Sequence, residues 1–207
     1  MKQKTPAHPA QSDLEDQPFS YHQTLTESVV ELLIQKKIIA TDELHAQLEK
    51  IDSKNPAEGA KLIARAWVDA NFNKRLLKNL NLAAGELGID AGHIPIRAVQ
   101  NTPTLHNIIV CTLCSCYPRL LIGLPPDWYK SRAYRARAVR EPRTVLKEFG
   151  TNISTGTRIE VHDSTADLRY IVIPMRPVGS DSLNEEELAK LITRDNMIGM
   201  TVVKPLK

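Results

Sequence analysis

Apolar residues recur at spacings of three and four through the first part of the chain, and the stripe stops wherever polar or turn-forming residues intervene. From Thr24 to Ile51, Leu25, Val29, Leu32 and Leu33 share one face, the period of an amphipathic helix. The stretch KKIIATDE breaks it, and Thr41 is the expected N-cap of a second segment carrying Leu44, Leu48 and Ile51. SKNPAEGAKLIARAWVDANFNKRLL predicts a further helix, opened by Asn55-Pro56 and burying Leu62, Ile63, Ala66, Trp67 and Phe72. Helical spacing alone accounts for Trp67 and Phe72 as core residues.

ELGIDAGHIPI is punctuated by glycine and reads as a loop. Beyond it the pattern changes. HNIIV, residues 106–110, is β-branched and predicts a buried strand that delivers Cys111 at its C-terminal end. GLPPDWYKSRAYRARAVREPRTVLKEFG predicts a helix from about Asp127 to Arg140 and another helical turn after Pro142. TRIEVHD and LRYIVIPMRP are expected to pair as strands, the second alternating Tyr170, Val172 and Pro174 against Ile171 and Ile173. NEEELAKLITRDNMIG predicts one final short helix with acids in its first turn, which suits the helix dipole. The fold class is therefore α+β. A flexible arm is expected over residues 1–22, a helical region over 23–82 and an α+β domain over 83–207.

Composition narrows the classes. The chain has 207 residues, of which 42% are hydrophobic, 25% charged and 5% aromatic, so the core is mostly aliphatic and the class is ordinary globular. No apolar run approaches the ~18 residues of a membrane span. MKQKTPAHPAQSDLEDQPFS has no apolar core of an export signal, which points to a cytoplasmic protein with no membrane partner. A net charge of +3 is too small to imply nucleic acid. Residues 119–143 carry seven basic side chains against two acidic ones, net +5; a solvated face or a partner-subunit contact explains them better than nucleic acid, given the few aromatics.

All three cysteines lie in VCTLCSCYP, at Cys111, Cys114 and Cys116. In a reducing compartment such a cluster suggests metal or catalysis over a disulfide framework. Structural zinc wants four ligands, usually in two pairs, and no second C-x-x-C exists; His106 sits where a strand is expected. A thioredoxin-like exchange site lacks its helix, because Pro118 interrupts. Inert thiols would not cluster. The remaining reading is a loop of three thiolates whose deprotonated backbone amides add two donors, leaving one position open. Such donors favour a low-spin trivalent cobalt or iron ion acting as a Lewis acid.

VCTLCSCYP followed by GLPPDWYKSRAYRARAVREPRTVLKEFG resembles the metal-binding alpha subunit of nitrile hydratase. The likeness extends to GAKLIARAWVDANFNKRLL, NTPTLHNIIV, HDSTADLRYIVIPMRPVGSD and EEELAKLITRDNMIG. The resemblance implies a helical N-terminal arm followed by a layered α/β metal-binding domain of that type. It implies one Co(III) per chain, with Fe(III) as the alternative, because Thr112 and Tyr117 match the cobalt variant of the loop. The implied ligands are the sulfurs of Cys111, Cys114 and Cys116 and the backbone nitrogens of Ser115 and Cys116. Cys114 would be oxidised to sulfinic acid and Cys116 to sulfenic acid, with Cys116, Cys114 and Ser115 forming the catalytic loop. A companion beta-type subunit would supply arginines to the oxidised sulfurs, in a heterodimer or heterotetramer, or a larger assembly with a third subunit. A metallochaperone or activator is implied as well.

The resemblance also marks two departures. Nitrile hydratases carry tryptophan and proline where this chain has Arg119 and Leu120. Arginine there resembles the gamma subunit of thiocyanate hydrolase, whose substrate is an anion that a guanidinium can hold. The family's Gln-Gly-Glu stretch is not legible in DAGHIPIRAVQNT. Arg169 matches a family position near the substrate, so Arg119, Arg169 and Tyr117 are the expected pocket residues. The implied substrate is a small nitrile or thiocyanate. A non-catalytic metal- or redox-binding module is a third possibility.

Overall fold

The structure, a computed structural model, describes residues 21–114 and 116–204; the N-terminal arm up to residue 20 and Ser115 lie outside them. Helices α1 (Tyr21–Gln35) and α2 (Thr41–Asp52) come first. The N-cap of α2 is Ala40 and not Thr41, which already has helical backbone. With no acceptor at Ala40, the cap is made from within the helix: Glu43 accepts the Ala40 N–H at 2.9 Å. Neither helix has a fully buried residue. The predicted stripe is present, but Leu25, Val29 and Leu32 stay almost half exposed.

The long helix expected after Pro56 is broken into α3 (Ala57–Val68) and α4 (Ala70–Lys78). Asp69 is extended, and its carboxylate accepts from the N–H groups of Asn71 and Phe72 at 2.9 Å each, so it ends one helix and caps the next. Asn79 does the same for α5 (Leu80–Glu86), accepting from Leu82. Leu62, Ile63, Phe72, Leu76 and Leu80 are buried. Trp67 is half-buried, and its indole donates to the Pro174 carbonyl at 2.9 Å.

Four strands follow in two parallel pairs. β1 (Ile96–Gln100) pairs with β4 (Arg169–Ile173), Ile96 opposite Arg169. β2 (Leu105–Val110) pairs with β3 (Arg158–Asp163), Leu105 opposite Arg158. The expected pairing of β3 with β4 is therefore wrong. The five residues 164–168 carry the chain from one pair to the other, and each strand lies parallel to an earlier one through a long crossover. Ile171, Val172 and Ile173 are all buried, so β4 is covered on both faces and does not alternate. β1 was not read because Ile96 was taken into the glycine-punctuated loop, leaving an alternation of buried Ile96, exposed Arg97 and buried Ala98 too short to stand out.

The crossover from β2 to β3 holds α6 (Arg119–Ile122), α7 (Asp127–Lys130), α8 (Arg132–Arg140) and α9 (Pro142–Glu148). The helix expected over 127–140 stops at Ser131, whose hydroxyl accepts from Tyr134 N–H at 3.1 Å. The last predicted helix also divides, into α10 (Glu185–Leu191) and α11 (Arg194–Ile198), with Thr193 capping the second. No helix among the described residues is long and apolar enough to cross a membrane.

A buried polar cluster ties the strand pairs together. Asn101 accepts from the Asn107 N–H at 2.8 Å, and Asn107 donates to the Gln100 carbonyl at 2.9 Å. His106 contacts the Gly199 carbonyl through Nε2 at 2.7 Å and the Asn101 amide nitrogen through Nδ1 at 3.3 Å. Since only a protonated nitrogen can bond the carbonyl, Nε2–H donates and Nδ1 accepts.

Candidate metal centre

β2 ends by delivering Cys111, 1% exposed, into a turn that brings the other two cysteines back over it. The sulfurs of Cys111 and Cys114 are 3.3 Å apart, and those of Cys114 and Cys116 are 3.0 Å apart. All three lie within 4.8 Å of one another. These separations exceed the ~2.05 Å of a disulfide, so no disulfide joins the three cysteines. The Cys114 N–H points at the Cys111 sulfur at 3.2 Å. Cys111 is buried, Cys116 half-buried and Cys114 exposed, so the cluster opens outward. Ser115, expected to add a backbone nitrogen, lies outside the described residues.

Three distant elements hold this loop. Asp163, the last residue of β3, accepts from Thr112 N–H at 2.9 Å and Thr112 hydroxyl at 2.5 Å. Tyr129 on α7 donates to the Cys116 carbonyl at 2.9 Å. Arg135 on α8 reaches the Cys114 carbonyl at 3.4 Å. Tyr117 packs edge-on against Tyr129, ring centroids 5.0 Å apart.

Burial pushes the Cys116 thiol up to about 12, and the hydrogen bond from Cys114 and the neighbouring thiols push the same way; only Arg169 opposes. Three sulfurs this close resist ionisation without a cation among them. Among the described residues no histidine, aspartate or glutamate joins the three sulfurs, and both ring nitrogens of His106 are engaged elsewhere. A four-ligand zinc site thus lacks its fourth side chain. The donor set fits a thiolate-preferring transition metal and not calcium or magnesium.

Beside the loop lies a cavity of about 360 Å³. It is lined by Cys114, Cys116, Tyr117, Pro118, Arg119 and Leu120 from the metal loop and α6, by Ala91, Gly92, His93, Ile94 and Ile96 from the segment before and into β1, and by Arg169. All three expected pocket residues are therefore at one cavity. Arg169 opens β4, and its Nη1 is buried without a hydrogen-bond partner among the described residues. Burial likewise leaves the Tyr117 hydroxyl unpartnered and raises its pKa. Two guanidinium groups and no carboxylate line the space. Most of the remaining basic stretch is occupied: Arg137 pairs with Glu141 at 2.7 Å and Glu148 at 2.5 Å, and Arg143 donates to the carbonyls of Ile153 and Ser154 at 3.1 and 3.0 Å. Asp163 went unread in the sequence, although the His-Asp pair closing β3 was an available signal; DAGHIPIRAVQNT was marked as an altered pocket wall, but as a stretch and not residue by residue.

A family model described as nitrile hydratase, alpha chain, matches residues 20–201. The chain belongs to that family. It is 48% identical over 173 residues to the low-molecular weight cobalt-containing nitrile hydratase subunit alpha of Rhodococcus rhodochrous, covering 83% of this chain and 84% of that one. It is 37% identical over 190 residues to the thiocyanate hydrolase subunit gamma of Thiobacillus thioparus, covering 86% and 78%. A solved structure of recombinant thiocyanate hydrolase with partially modified cobalt centres superposes with a TM-score of 0.83 at 36% identity, covering 91% of this chain and 92% of that one. A solved double mutant of the Fe-type nitrile hydratase of Comamonas testosteroni superposes with a TM-score of 0.80 at 38% identity, covering 88% of this chain and 90% of that one, so the fold is shared with both enzymes.

Proposed function

We propose that this chain is the metal-binding subunit of a cobalt nitrile hydratase, converting nitriles to amides by addition of water. The observation that carries the reading is the three-sulfur cluster opening onto a cavity, in a chain matched by the nitrile hydratase alpha-chain model over residues 20–201. Cys111, Cys114 and Cys116 would hold the ion with backbone nitrogens of Ser115 and Cys116, and Thr112 and Tyr117 favour Co(III) over Fe(III). Bound there, the ion supplies Lewis acidity toward the C≡N group or water. The residues of the chain do the rest. Tyr117 and Leu120 give the cavity apolar walls. With dioxygen as the oxidant, Cys116 as the sulfenate would offer an oxygen to the substrate carbon as nucleophile or base, and Cys114 as the sulfinate would remain one of the residues holding the ion. The negative oxygens on both sulfurs call for cations that a companion beta-type subunit would bring. A heteromer completed by a metal-delivering activator in the cytoplasm fits this incomplete site.

One observation favours a second reading, a gamma subunit of thiocyanate hydrolase. Arg119 and Arg169 line the cavity without a carboxylate, which attracts an anion and does little for a neutral nitrile. Assay of the chain assembled with its companion subunits, using a small aliphatic nitrile and thiocyanate in parallel, decides between them. Nitrile turnover supports the first reading; consumption of thiocyanate alone replaces it with the second. Absence of cobalt and iron from the assembled protein removes both. In the thiocyanate case Arg119→Gln is expected to raise KM about tenfold or more, the loss of roughly one charge-assisted contact.

A further inference from the structure

The cavity wall that precedes β1, residues 91–95, has no helix or strand of its own, yet it supplies much of the lining. Irregular backbone beside a reactive centre needs fixed partners if the space is to keep one shape. Asn81, on the second position of α5, supplies them. Its Nδ2 donates to the carbonyls of Gly92 and Ile94 at 3.0 Å each, and its Oδ1 accepts from the Ile96 N–H at 2.8 Å. Both amide hydrogens and the carbonyl of one half-buried side chain thus close on three backbone groups spanning five residues. Asp90 completes the turn, accepting from the Gly92 N–H at 2.9 Å. Gly92 has φ +77, and a Cβ there would lie 2.6 Å from Cδ1 of Leu120, another lining residue, so this backbone is packed tightly against the metal-loop side of the lining and a shift in it disturbs both. The segment also reaches the backbone of Arg169, since the Pro95 carbonyl accepts from the Arg169 main-chain N–H at 2.9 Å.

We infer that Asn81 is a positioning residue for substrate binding: it pins the 92–96 wall and, through Pro95, the start of β4 that carries Arg169. The inference rests on reading this cavity as the substrate site. The requirement is chemical as well as steric, because the clamp needs two donors and one acceptor at one position, which asparagine alone provides at this length. Aspartate is nearly the same shape, keeps the acceptor for Ile96 and sets a carboxylate against two carbonyl oxygens.

The test compares Asn81→Ala and Asn81→Asp with the parent in the metal-loaded complex, by amide hydrogen exchange and by steady-state kinetics on whichever substrate the parent turns over. Both variants are expected to speed exchange at residues 92–96 about tenfold and to raise KM about five- to tenfold with kcat changed less than about twofold, at unchanged metal content. Asn81→Asp should be at least as impaired as Asn81→Ala. An Asn81→Asp variant indistinguishable from the parent would show that Asn81 merely fills space, and would overturn the inference; so would unchanged exchange, or a fall in kcat with KM intact. The exchange measurement needs no substrate, so a parent complex inactive on both nitrile and thiocyanate refutes the functional reading while the clamp is still judged.

Discussion

Asp163 carries more of the metal loop than any residue the motif names outside the cysteines. Both of its oxygens are taken by Thr112, one by the backbone and one by the hydroxyl, so a single carboxylate fixes the residue that follows Cys111. Two hydrogen bonds to one carboxylate thus act on the loop that carries the three sulfurs, and because they are exposed each counts for less than a buried one. Asp163→Ala is expected to lower the metal content of the assembled protein severalfold. Thr112→Val, which keeps the backbone bond, should fall between that variant and the parent; elemental analysis per chain reads the order. Full loading of Asp163→Ala would show that the cysteines organise themselves. The cysteines were legible because they sit within six residues. Asp163 was not, because its partner is 51 residues away. Arg119 was legible for the opposite reason: its oddity lies in the motif itself.

The elements show where periodicity misleads. Helical spacing does not show the breaks at Asp69 and Ser131, each of which ends one helix and caps the next through its side chain, nor the one at Thr193, which caps α11 just past the Ile192 end of α10. The strands were recognised by composition but their partners were not, since two adjacent β-branched runs invite a hairpin and only the helices between β2 and β3 dictate the parallel crossover. Helix α1 shows the reverse case. Its stripe was read correctly, yet Tyr21, Leu25, Val29 and Leu32 are 45–75% exposed. A short helix is marginal in water without packing, so its stripe needs a cover that this chain does not provide among the described residues. The companion subunit of the proposed heteromer is the occupant this implies. Amides of residues 21–35 are expected to exchange far faster than those of α3 in the isolated chain, and to slow by about tenfold or more in the complex. Unchanged exchange on assembly would remove the arm from the interface.

At the scale of the whole molecule, the joint between the two strand pairs rests on buried polar groups instead of on a continuous sheet. Asn101, His106 and Asn107 connect the end of β1 to β2, and His162 on β3 reaches the Asn107 side chain at 2.8 Å. Gly199 closes the joint from the C-terminal side: its φ is +88, and a Cβ would sit 2.0 Å from the Asn107 carbonyl oxygen, so only glycine admits the approach that lets His106 donate to it. This joint makes stability depend on pH with a definite sign. Burial lowers the pKa of His106 below its ordinary 6.5, outweighing the opposite pull of the bond to Gly199. A protonated ring would turn the accepting Nδ1 into a donor facing the Asn101 amide nitrogen, whose own oxygen is already used by Asn107. Burial lowers His162 as well. In both cases the unfolded chain binds the proton more readily, so the contribution is complete above about pH 6.5 and is lost as pH falls through the folded pKa. Each group can contribute a slope of up to about 1.4 kcal/mol per pH unit within that window. The Tm of the isolated chain is therefore expected to fall between pH 7 and pH 5. His106→Gln should be less stable at pH 7 but show a shallower decline, having one fewer proton to take up on unfolding. A parent whose Tm is flat over that range, or a variant with the parent's slope, would place the pH sensitivity outside the joint.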